Sequence, residues 1–249
     1  MVSNQGLYAS AFEHDSCGIG FVANIKSIKS HQIISDALTV LENMEHRGAC
    51  GCDKDSGDGA GIMIQVPHEF FVDECARLGI GLPPFSKYGV GVLFFPKDIQ
   101  LKEECREIFN RCAERLGFEV LAYRKVPVNS TQAGYSALSV APEIEQVFVH
   151  CPDNQLQPDV LERKLFLLRN HASHTISNTV KKDSVGFYIA SLSYKTIIYK
   201  GQLTSAQVRG YFPDLSNKRL VSAFGLVHSR FATNTFPSWK LAQPFRYIA

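Results

Sequence analysis

The sequence contains no long apolar run and no cluster of positive charge. No segment approaches the roughly 18 apolar residues that a membrane-spanning helix needs, and no run of basic residues is longer than two. The net charge is only +2. This composition is not typical of proteins that bind nucleic acid or anionic membranes, and we expect neither as a partner. The first 16 residues lack Lys and Arg, which argues against a secretory signal and favours a cytoplasmic protein.

The sequence also lacks the cysteine pattern of a disulfide-stabilised fold. The seven cysteines lie at positions 17, 50, 52, 75, 105, 112 and 151. They are odd in number and irregularly spaced, which indicates free thiols in a reducing compartment. Cys75, Cys105 and Cys112 fall on predicted helices, and we expect their side chains to face the packed side.

The hydrophobic pattern predicts an α+β fold in one domain. The predicted strands are 18–24, 62–66, 88–95, 119–126, 144–149 and 222–228, with a hairpin formed by 185–193 and 196–200. The predicted helices are 33–44, 69–78, 98–116 and 158–175. Because strands and helices do not alternate regularly, this order favours helices layered on sheets over a doubly wound parallel sheet.

Cys17 stands directly before the first predicted strand. If the peptide bond before Cys17 is cleaved, this residue carries both a thiol and a free α-amine. An α-amine has an ordinary pKa of about 7.7 to 8.0 and can take the proton of the thiol without a histidine or lysine partner. Cys17 is therefore a candidate nucleophile, and residues 1–16 are a propeptide-like arm. The alternative is an inert buried cysteine behind a floppy arm.

Residues 45–61 form a glycine-rich loop that contains several ionisable side chains. Its glycines allow mobile or tightly turned backbone conformations. Such a loop often lies near a polar ligand, and a solvated surface loop is the alternative. A zinc site at His46, Cys50 and Cys52 lacks a second pair of ligands. A calcium loop at Asp53, Asp55 and Asp58 would need a glutamate at its twelfth position, and the sequence has none there. A phosphate-binding loop would need Gly-Lys-Ser/Thr after the glycines, and this motif is absent. We therefore predict no metal site.

The segment 228–239 follows the last predicted strand and contains Arg230. An arginine at the end of a strand can bind a carboxylate through two parallel hydrogen bonds. Thr233 and Asn234 could complete the recognition of a small zwitterion. The alternative is a structural ion pair at a sheet edge.

Three motifs, in this order, resemble the glutaminase domain of glutamate synthase large subunits, which are class II glutamine amidotransferases and N-terminal-nucleophile hydrolases. They are Cys-Gly-Ile-Gly at 17–20, Leu-Glu-Asn-Met-Glu-His-Arg-Gly-Ala at 41–49 with Gly-Asp-Gly-Ala-Gly at 57–61, and His-Ser-Arg-Phe-Ala-Thr-Asn-Thr at 228–235. Phe-Pro-Ser-Trp at 236–239 argues against the phosphoribosylamine- and asparagine-forming types. The resemblance covers residues 17–249 and implies a four-layer αββα sandwich, with two antiparallel sheets between helical layers.

The resemblance implies a reaction and a set of site residues. Cys17 would attack the side-chain amide of glutamine, form a γ-glutamyl thioester and release ammonia, after which water would hydrolyse the thioester. The residues assigned to substrate binding are Arg230, Phe231, Thr233 and Asn234, and those assigned to the shape of the site are Arg47, Gly48 and Asp58.

The resemblance also implies partners outside this chain. Synthase domains of the same polypeptide would consume the ammonia, using FMN and an iron–sulfur cluster, and a small electron-transfer subunit or ferredoxin would supply electrons. No cofactor is implied for these 249 residues themselves.

The sequence departs from the family at one point. The family's His-Asn-Gly-Glu segment, which supplies two donors to the oxyanion hole, is missing, and no Asn-Gly pair occurs anywhere. Losing one such donor costs about 10²- to 10³-fold in rate. We therefore expect a partial amidotransferase domain over 17–249, incomplete at its C-terminus and impaired when isolated. The remaining alternative is a non-catalytic remnant that binds glutamine or a partner.

Overall fold

The structure is a computed structural model that describes residues 18–50, 53–153, 156–180, 186–232 and 236–245. These residues form two four-stranded antiparallel sheets and six α-helices. The predicted α+β class is confirmed. None of the helices in the described ranges combines the length and the apolar character that crossing a membrane requires.

The strands of each sheet come from distant parts of the chain. The first sheet contains, in order across the sheet, β1 (Gly18–Ala23), β8 (Phe224–Ser229), β2 (Ala60–Gln65) and β7 (Thr196–Gly201). The second contains β4 (Glu119–Lys125), β5 (Glu143–His150), β3 (Tyr88–Phe95) and β6 (Tyr188–Ser193). The helices are α1 (His31–Asn43), α2 (His68–Arg77), α3 (Ile99–Arg115), α4 (Tyr135–Ser139), α5 (Pro158–Thr179) and α6 (Gln207–Tyr211).

Helix α1 packs on β1 and β8 and fixes their position. The Oγ of Ser30 accepts a hydrogen bond from the Ile33 amide and caps the helix. Its buried side chains, Ala37 among them, form one stripe against the sheet. Gly225 of β8 permits this contact, because a Cβ there would lie 2.6 Å from the Cβ of Ala37. The end of β8 is therefore held by a packed helix.

Helices α3 and α5 cover one face of the second sheet and enclose a separate hydrophobic core. Asp98 caps α3 by accepting a hydrogen bond from the Leu101 amide at 2.9 Å, and Gly117 follows its end at φ +74°. Cys105 and Cys112 are buried in this core, and Cys75 is buried in the other. The prediction that these three cysteines face packed sides is confirmed.

The predicted hairpin of 185–193 with 196–200 is wrong. Strands β6 and β7 belong to different sheets, β6 pairing with β3 and β7 with β2. Tyr194 and Lys195, between them, lack the glycine or asparagine that a two-residue hairpin turn favours. Instead, the Oγ of Ser193 accepts hydrogen bonds from the amides of Lys195 and Thr196, and Glu162 accepts one from the Tyr194 amide. These bonds direct the chain from one sheet to the other.

A buried charge network ties the elements together. The guanidinium of Arg124 in β4 donates to both carboxylate oxygens of Asp214, at 2.8 and 2.9 Å, and to Glu74 of α2 at 2.7 Å. It also donates to the side-chain oxygen of Gln146 in β5. Because removal of Arg124 would leave the buried carboxylate of Asp214 without a charged partner, we expect loss of this arginine to be strongly destabilising.

Candidate active site

The ends of three strands of the first sheet meet at one point. Gly18, the first residue of β1, pairs with Ser229, the last residue of β8, which in turn pairs with Ala60, the first residue of β2. A Cβ on Gly18 would lie 2.4 Å from the carbonyl oxygen of Ser229, so the close approach requires glycine. Cys17 lies outside the described residues, but it is covalently bonded to Gly18. The candidate nucleophile is therefore attached to the strand end where the motifs converge.

The glycine-rich loop holds the segment that follows β8. The Arg230 amide donates to the carbonyl of Gly59 at 2.8 Å, and the Ala232 amide donates to the Asp58 carboxylate at 2.6 Å. The guanidinium of Arg230 reaches the carbonyl of Asp58 at 3.3 Å. Gly59 has φ +134°, a conformation that side chains rarely adopt. These hydrogen bonds from the loop fix the backbone of residues 230–232.

Asp53, a second acidic residue of the loop, also has structural partners. The Asp53 carboxylate accepts hydrogen bonds from the Ser136 and Asp55 amides and from the Ser56 hydroxyl. The bonds from Ser136 are the main cause of a lowered pKa of Asp53. No three His, Cys, Asp or Glu side chains converge as metal ligands in the part of the chain that the structure describes. The zinc hypothesis depended on Cys52, which lies outside that part.

A small cavity lies at the junction of the strand ends and the loop. Its volume is about 30 Å³, and its lining includes Gly48, Asp58, Ser205, Ser229 and Arg230. The hydroxyl of Ser205 donates to that of Ser229 at 2.8 Å. A cavity of this size holds about one water molecule, so it is too small to hold an amino acid by itself.

A larger cavity, of about 450 Å³, lies elsewhere, between the end of β3 and Trp239. Its lining is mainly apolar and includes Ser238 and Trp239 of the Phe-Pro-Ser-Trp motif, but it contains none of the residues predicted to bind substrate or to act as nucleophile. Because neither a cysteine nor an arginine lines it, we do not assign the chemistry to it.

Among the described cysteines, Cys50 is an exposed free thiol that lines the small cavity, whereas Cys75, Cys105 and Cys151 are not alternative nucleophiles at this junction. Burial raises the pKa of the Cys75 and Cys105 thiols to about 11, so both are protonated at neutral pH. The Sγ of Cys151 accepts a hydrogen bond from Lys164 at 3.2 Å, but Cys151 follows β5 in the second sheet.

Comparison with known proteins agrees with the geometry. The family model for class II glutamine amidotransferases matches residues 17–249. The chain belongs to the class II glutamine amidotransferases. Similar proteins include the glutamate synthase [NADH] of Schizosaccharomyces pombe, 44% identical over 98% of this chain. The glutamate synthase [NADPH] large chain of Bacillus subtilis is 42% identical over 100% of it, and the ferredoxin-dependent glutamate synthase of Spinacia oleracea is 42% identical over 95%.

The chain spans only a small part of these relatives. It covers 12% of the Schizosaccharomyces pombe protein, 16% of the Bacillus subtilis protein and 14% of the Spinacia oleracea protein. The similarity therefore concerns the amidotransferase domain alone.

The structure brings several predicted site residues of this amidotransferase domain together. Gly48, Asp58 and Arg230 line the small cavity, and Arg47 ends a short 3₁₀ turn directly before Gly48. A Cβ on Gly48 would lie 2.8 Å from the Oγ of Ser229. Phe231 is half exposed beside Arg230. The predicted residues Cys17, Thr233 and Asn234 lie outside the described part of the chain.

Sequence reasoning missed part of the site. Ser229 lies inside the recognised motif, and its pairing with Gly18 and Ala60 becomes apparent only in the sheet. Ser205 and Gly59 hold the same junction, but Ser205 belongs to no motif. The sequence signal that could have indicated a role for Ser229 was the alternating strand pattern that ends at this residue.

Proposed function

We propose that this chain is the glutaminase part of a glutamate synthase, which hydrolyses glutamine to glutamate and ammonia. The observation that supports this most directly is the junction of strand ends. It places the residue after Cys17 beside the strand end that leads into Arg230, within a class II amidotransferase domain. Ammonia would pass to synthase domains of a longer polypeptide.

The proposed chemistry begins with removal of residues 1–16. The α-amine of Cys17 takes the proton of its thiol, and the thiolate attacks the side-chain carbonyl carbon of glutamine. The amine then returns a proton to the leaving nitrogen, so ammonia departs and a γ-glutamyl thioester remains. Water hydrolyses the thioester and regenerates the thiol. The mature polypeptide would then begin at Cys17.

Substrate orientation is assigned to the segment after β8. The planar guanidinium of Arg230 matches the two oxygens of the substrate α-carboxylate. Phe231, Thr233 and Asn234 would line the pocket, while Arg47, Gly48 and Asp58 would shape it. Asp58 supports this role through its hydrogen bond with the Ala232 amide, because that bond fixes the backbone that carries Phe231.

The cofactors and electron donor belong to the rest of the proposed enzyme. We assign FMN and an iron–sulfur cluster to the synthase domains and none to this chain. The names of similar proteins include NADH-, NADPH- and ferredoxin-dependent forms, and we infer that a small electron-transfer subunit or ferredoxin supplies the electrons. We propose a cytoplasmic location because the seven cysteines lack a disulfide pattern.

The test is the intact mass of the purified full-length polypeptide together with its glutamine hydrolysis. We expect a mature chain that begins at Cys17. Because the amine must be free, blocking removal of residues 1–16 should abolish hydrolysis. A protein that keeps residues 1–16 and hydrolyses glutamine equally well would contradict the mechanism, and a protein that binds glutamine without turnover would favour the non-catalytic alternative.

A further inference from the structure

The connection between β7 and α6 lies beside the junction of strand ends. β7 ends at Gly201, which pairs with Ala60, the first residue of β2. Ala60 also pairs with Ser229, the last residue of β8. The chain therefore leaves β7 at the same edge of the sheet at which β8 ends and β2 begins. We call residues 202–206, which lead from this edge to α6, the β7–α6 connection.

The β7–α6 connection packs directly on the glycine-rich loop. A Cβ on Gly57 would lie 2.3 Å from the carbonyl oxygen of Leu203, so the two backbones are in contact. The side-chain amide of Gln207, the first residue of α6, bonds to both segments. Its Oε1 accepts a hydrogen bond from the Thr204 amide at 2.9 Å, and its Nε2 donates to the carbonyl of Asp55 at 2.7 Å. The connection and the loop are thereby held against each other.

Ser205 joins the same connection to the end of β8. Its hydroxyl donates to the Ser229 hydroxyl at 2.8 Å, and both residues are only 2% exposed. Within the described part of the chain, Ser205 is the one hydrogen-bond partner of the Ser229 hydroxyl. The Oγ of Ser229 also lies close to Gly48 of the loop, where a Cβ would approach it to 2.8 Å. The last side chain of β8 is therefore enclosed by the connection and by the loop.

The position of Ser229 determines where Arg230, the next residue, leaves the sheet. The amide of Arg230 is bonded to Gly59, and its guanidinium reaches the carbonyl of Asp58. A guanidinium binds a carboxylate through two parallel hydrogen bonds, which require a defined position and plane. A displaced strand end would therefore weaken binding of the substrate α-carboxylate without removing any group that contacts the substrate.

We propose that Ser205 is a positioning residue of the glutamine site, which holds the end of β8 through the Ser229 hydroxyl and so orients Arg230 toward the α-carboxylate. This inference rests on the proposed function, because it assigns Arg230 to glutamine. The α-carboxylate is remote from the side-chain amide that reacts, so this contact contributes equally to binding of the substrate and of the transition state. Loss of the Ser205 hydroxyl should therefore act on KM more than on kcat.

Steady-state glutamine hydrolysis by the full-length polypeptide tests this proposal. Ser205→Ala should raise the KM for glutamine about 3- to 10-fold, the effect of losing one hydrogen bond, and should change kcat by less than about twofold. Ser191→Ala is the matched control. The Ser191 hydroxyl is buried in β6 of the second sheet and has no hydrogen-bond partner among the described residues, so its loss should leave KM and kcat unchanged. An original KM in Ser205→Ala would overturn the proposal.

A second substitution at Arg230 shows whether Ser205 acts through this residue. In an Arg230→Ala background, Ser205→Ala should cause no further rise in KM, because the contact that it orients is already absent. An equal rise in the original and the Arg230→Ala backgrounds would overturn the proposed route.

A second substitution at Ser229 separates positioning from a general loss of stability. Ser205→Ala combined with Ser229→Ala leaves no buried hydroxyl unpaired at this point, so the Tm should return toward the original value. The KM should stay raised, because the bond that holds the strand end is still missing. A KM that recovers together with the Tm would contradict a positioning role.

Failure of the proposed function gives a different result from failure of this inference. If the original full-length protein hydrolyses no glutamine, the proposed function is overturned and the role of Ser205 with it. If that protein hydrolyses glutamine and Ser205→Ala leaves its KM unchanged, only the role of Ser205 is overturned.

Discussion

At the scale of single residues, the candidate site depends on how Arg230 is held. The backbone amide of Arg230 is bound to Gly59, and its guanidinium lies near the carbonyl of Asp58. The Asp58 carboxylate binds the amide two residues further on, at Ala232. Both ends of this short segment are thereby fixed by one loop, so the arginine side chain leaves the sheet at a defined point.

We expect Arg230→Ala to raise the KM for glutamine about 10- to 100-fold with a smaller change in kcat. The reason is the loss of charged hydrogen bonds to the α-carboxylate, each worth about 1.5–3 kcal/mol. Arg230→Lys keeps the charge without the planar fork and should recover part of the loss. Steady-state glutamine hydrolysis measures both values, and an unchanged KM in Arg230→Ala would remove this residue from the binding site.

Sequence reasoning succeeded here where residues share a motif. Asp58 and Arg230 lie 172 positions apart, yet both belong to recognised segments, and the structure brings them together. Lys200 and Ser205 could not be found in this way. Their surroundings come from strands and turns that only the folded chain assembles.

At the scale of secondary-structure elements, the site is a consequence of strand register. The first residues of β1 and β2 both pair with the last residue of β8, so the three strand ends lie side by side. Helix α1 packs on β1 and β8. Gly18 allows the first pair to form at close range, since a side chain would collide with the Ser229 carbonyl. The close approach of the ends of β1 and β8 therefore depends on a glycine that itself performs no chemistry.

Gly18→Ala should lower both stability and activity. Its Cβ would meet backbone at 2.4 Å, and overpacking of this kind costs about 1–3 kcal/mol. Gly81→Ala is the matched control, because a Cβ there has nothing within 4 Å, and it should change stability by less than about 0.5 kcal/mol. Urea denaturation with a glutamine hydrolysis assay compares them. Equal effects of the two substitutions would refute the proposed dependence on close strand pairing.

Local sequence patterns predicted most elements but not all of their partners. The strands at 88–95 and 119–126 and the cap at Asp98 follow from alternation and capping rules, and the structure contains them. The connection through Tyr194 and Lys195 was misread as a hairpin, because closeness in sequence does not determine which sheet a strand joins. Side-chain bonds of Ser193 and Glu162 determine it instead.

At the scale of the whole molecule, the buried basic side chains of Arg124 and Lys200 differ in the partners that surround them. Arg124 has carboxylate partners on two other elements. The partners of Lys200 among the described residues are backbone carbonyls and aromatic rings. Burial, with a smaller effect of Arg169, lowers the pKa of Lys200 to about 7. This side chain therefore makes the stability of the fold depend on pH.

Stability should rise with pH above about 7 because of Lys200. The unfolded lysine titrates near 10.4, so between these values the unfolded chain binds more protons than the folded one. The unfolding free energy then increases by up to about 1.4 kcal/mol per pH unit, and below pH 7 this contribution is constant. Urea denaturation at pH 7, 8 and 9 should give a smaller slope for Lys200→Met than for the original protein. Lys195→Met, at a side chain that is 47% exposed, should leave the slope unchanged, and identical slopes in all three proteins would contradict the argument.

The most direct test of the whole account is the nitrogen source that Cys17→Ala can still use. In the full-length enzyme we expect this substitution to abolish glutamate formation from glutamine and 2-oxoglutarate, because no thiol attacks the amide. Glutamate formation from free ammonia should continue at the original rate, because the synthase domains do not need the thiol. Equal loss of both activities, or retention of the glutamine-dependent activity, would contradict the proposal that Cys17 is the nucleophile of a glutaminase domain.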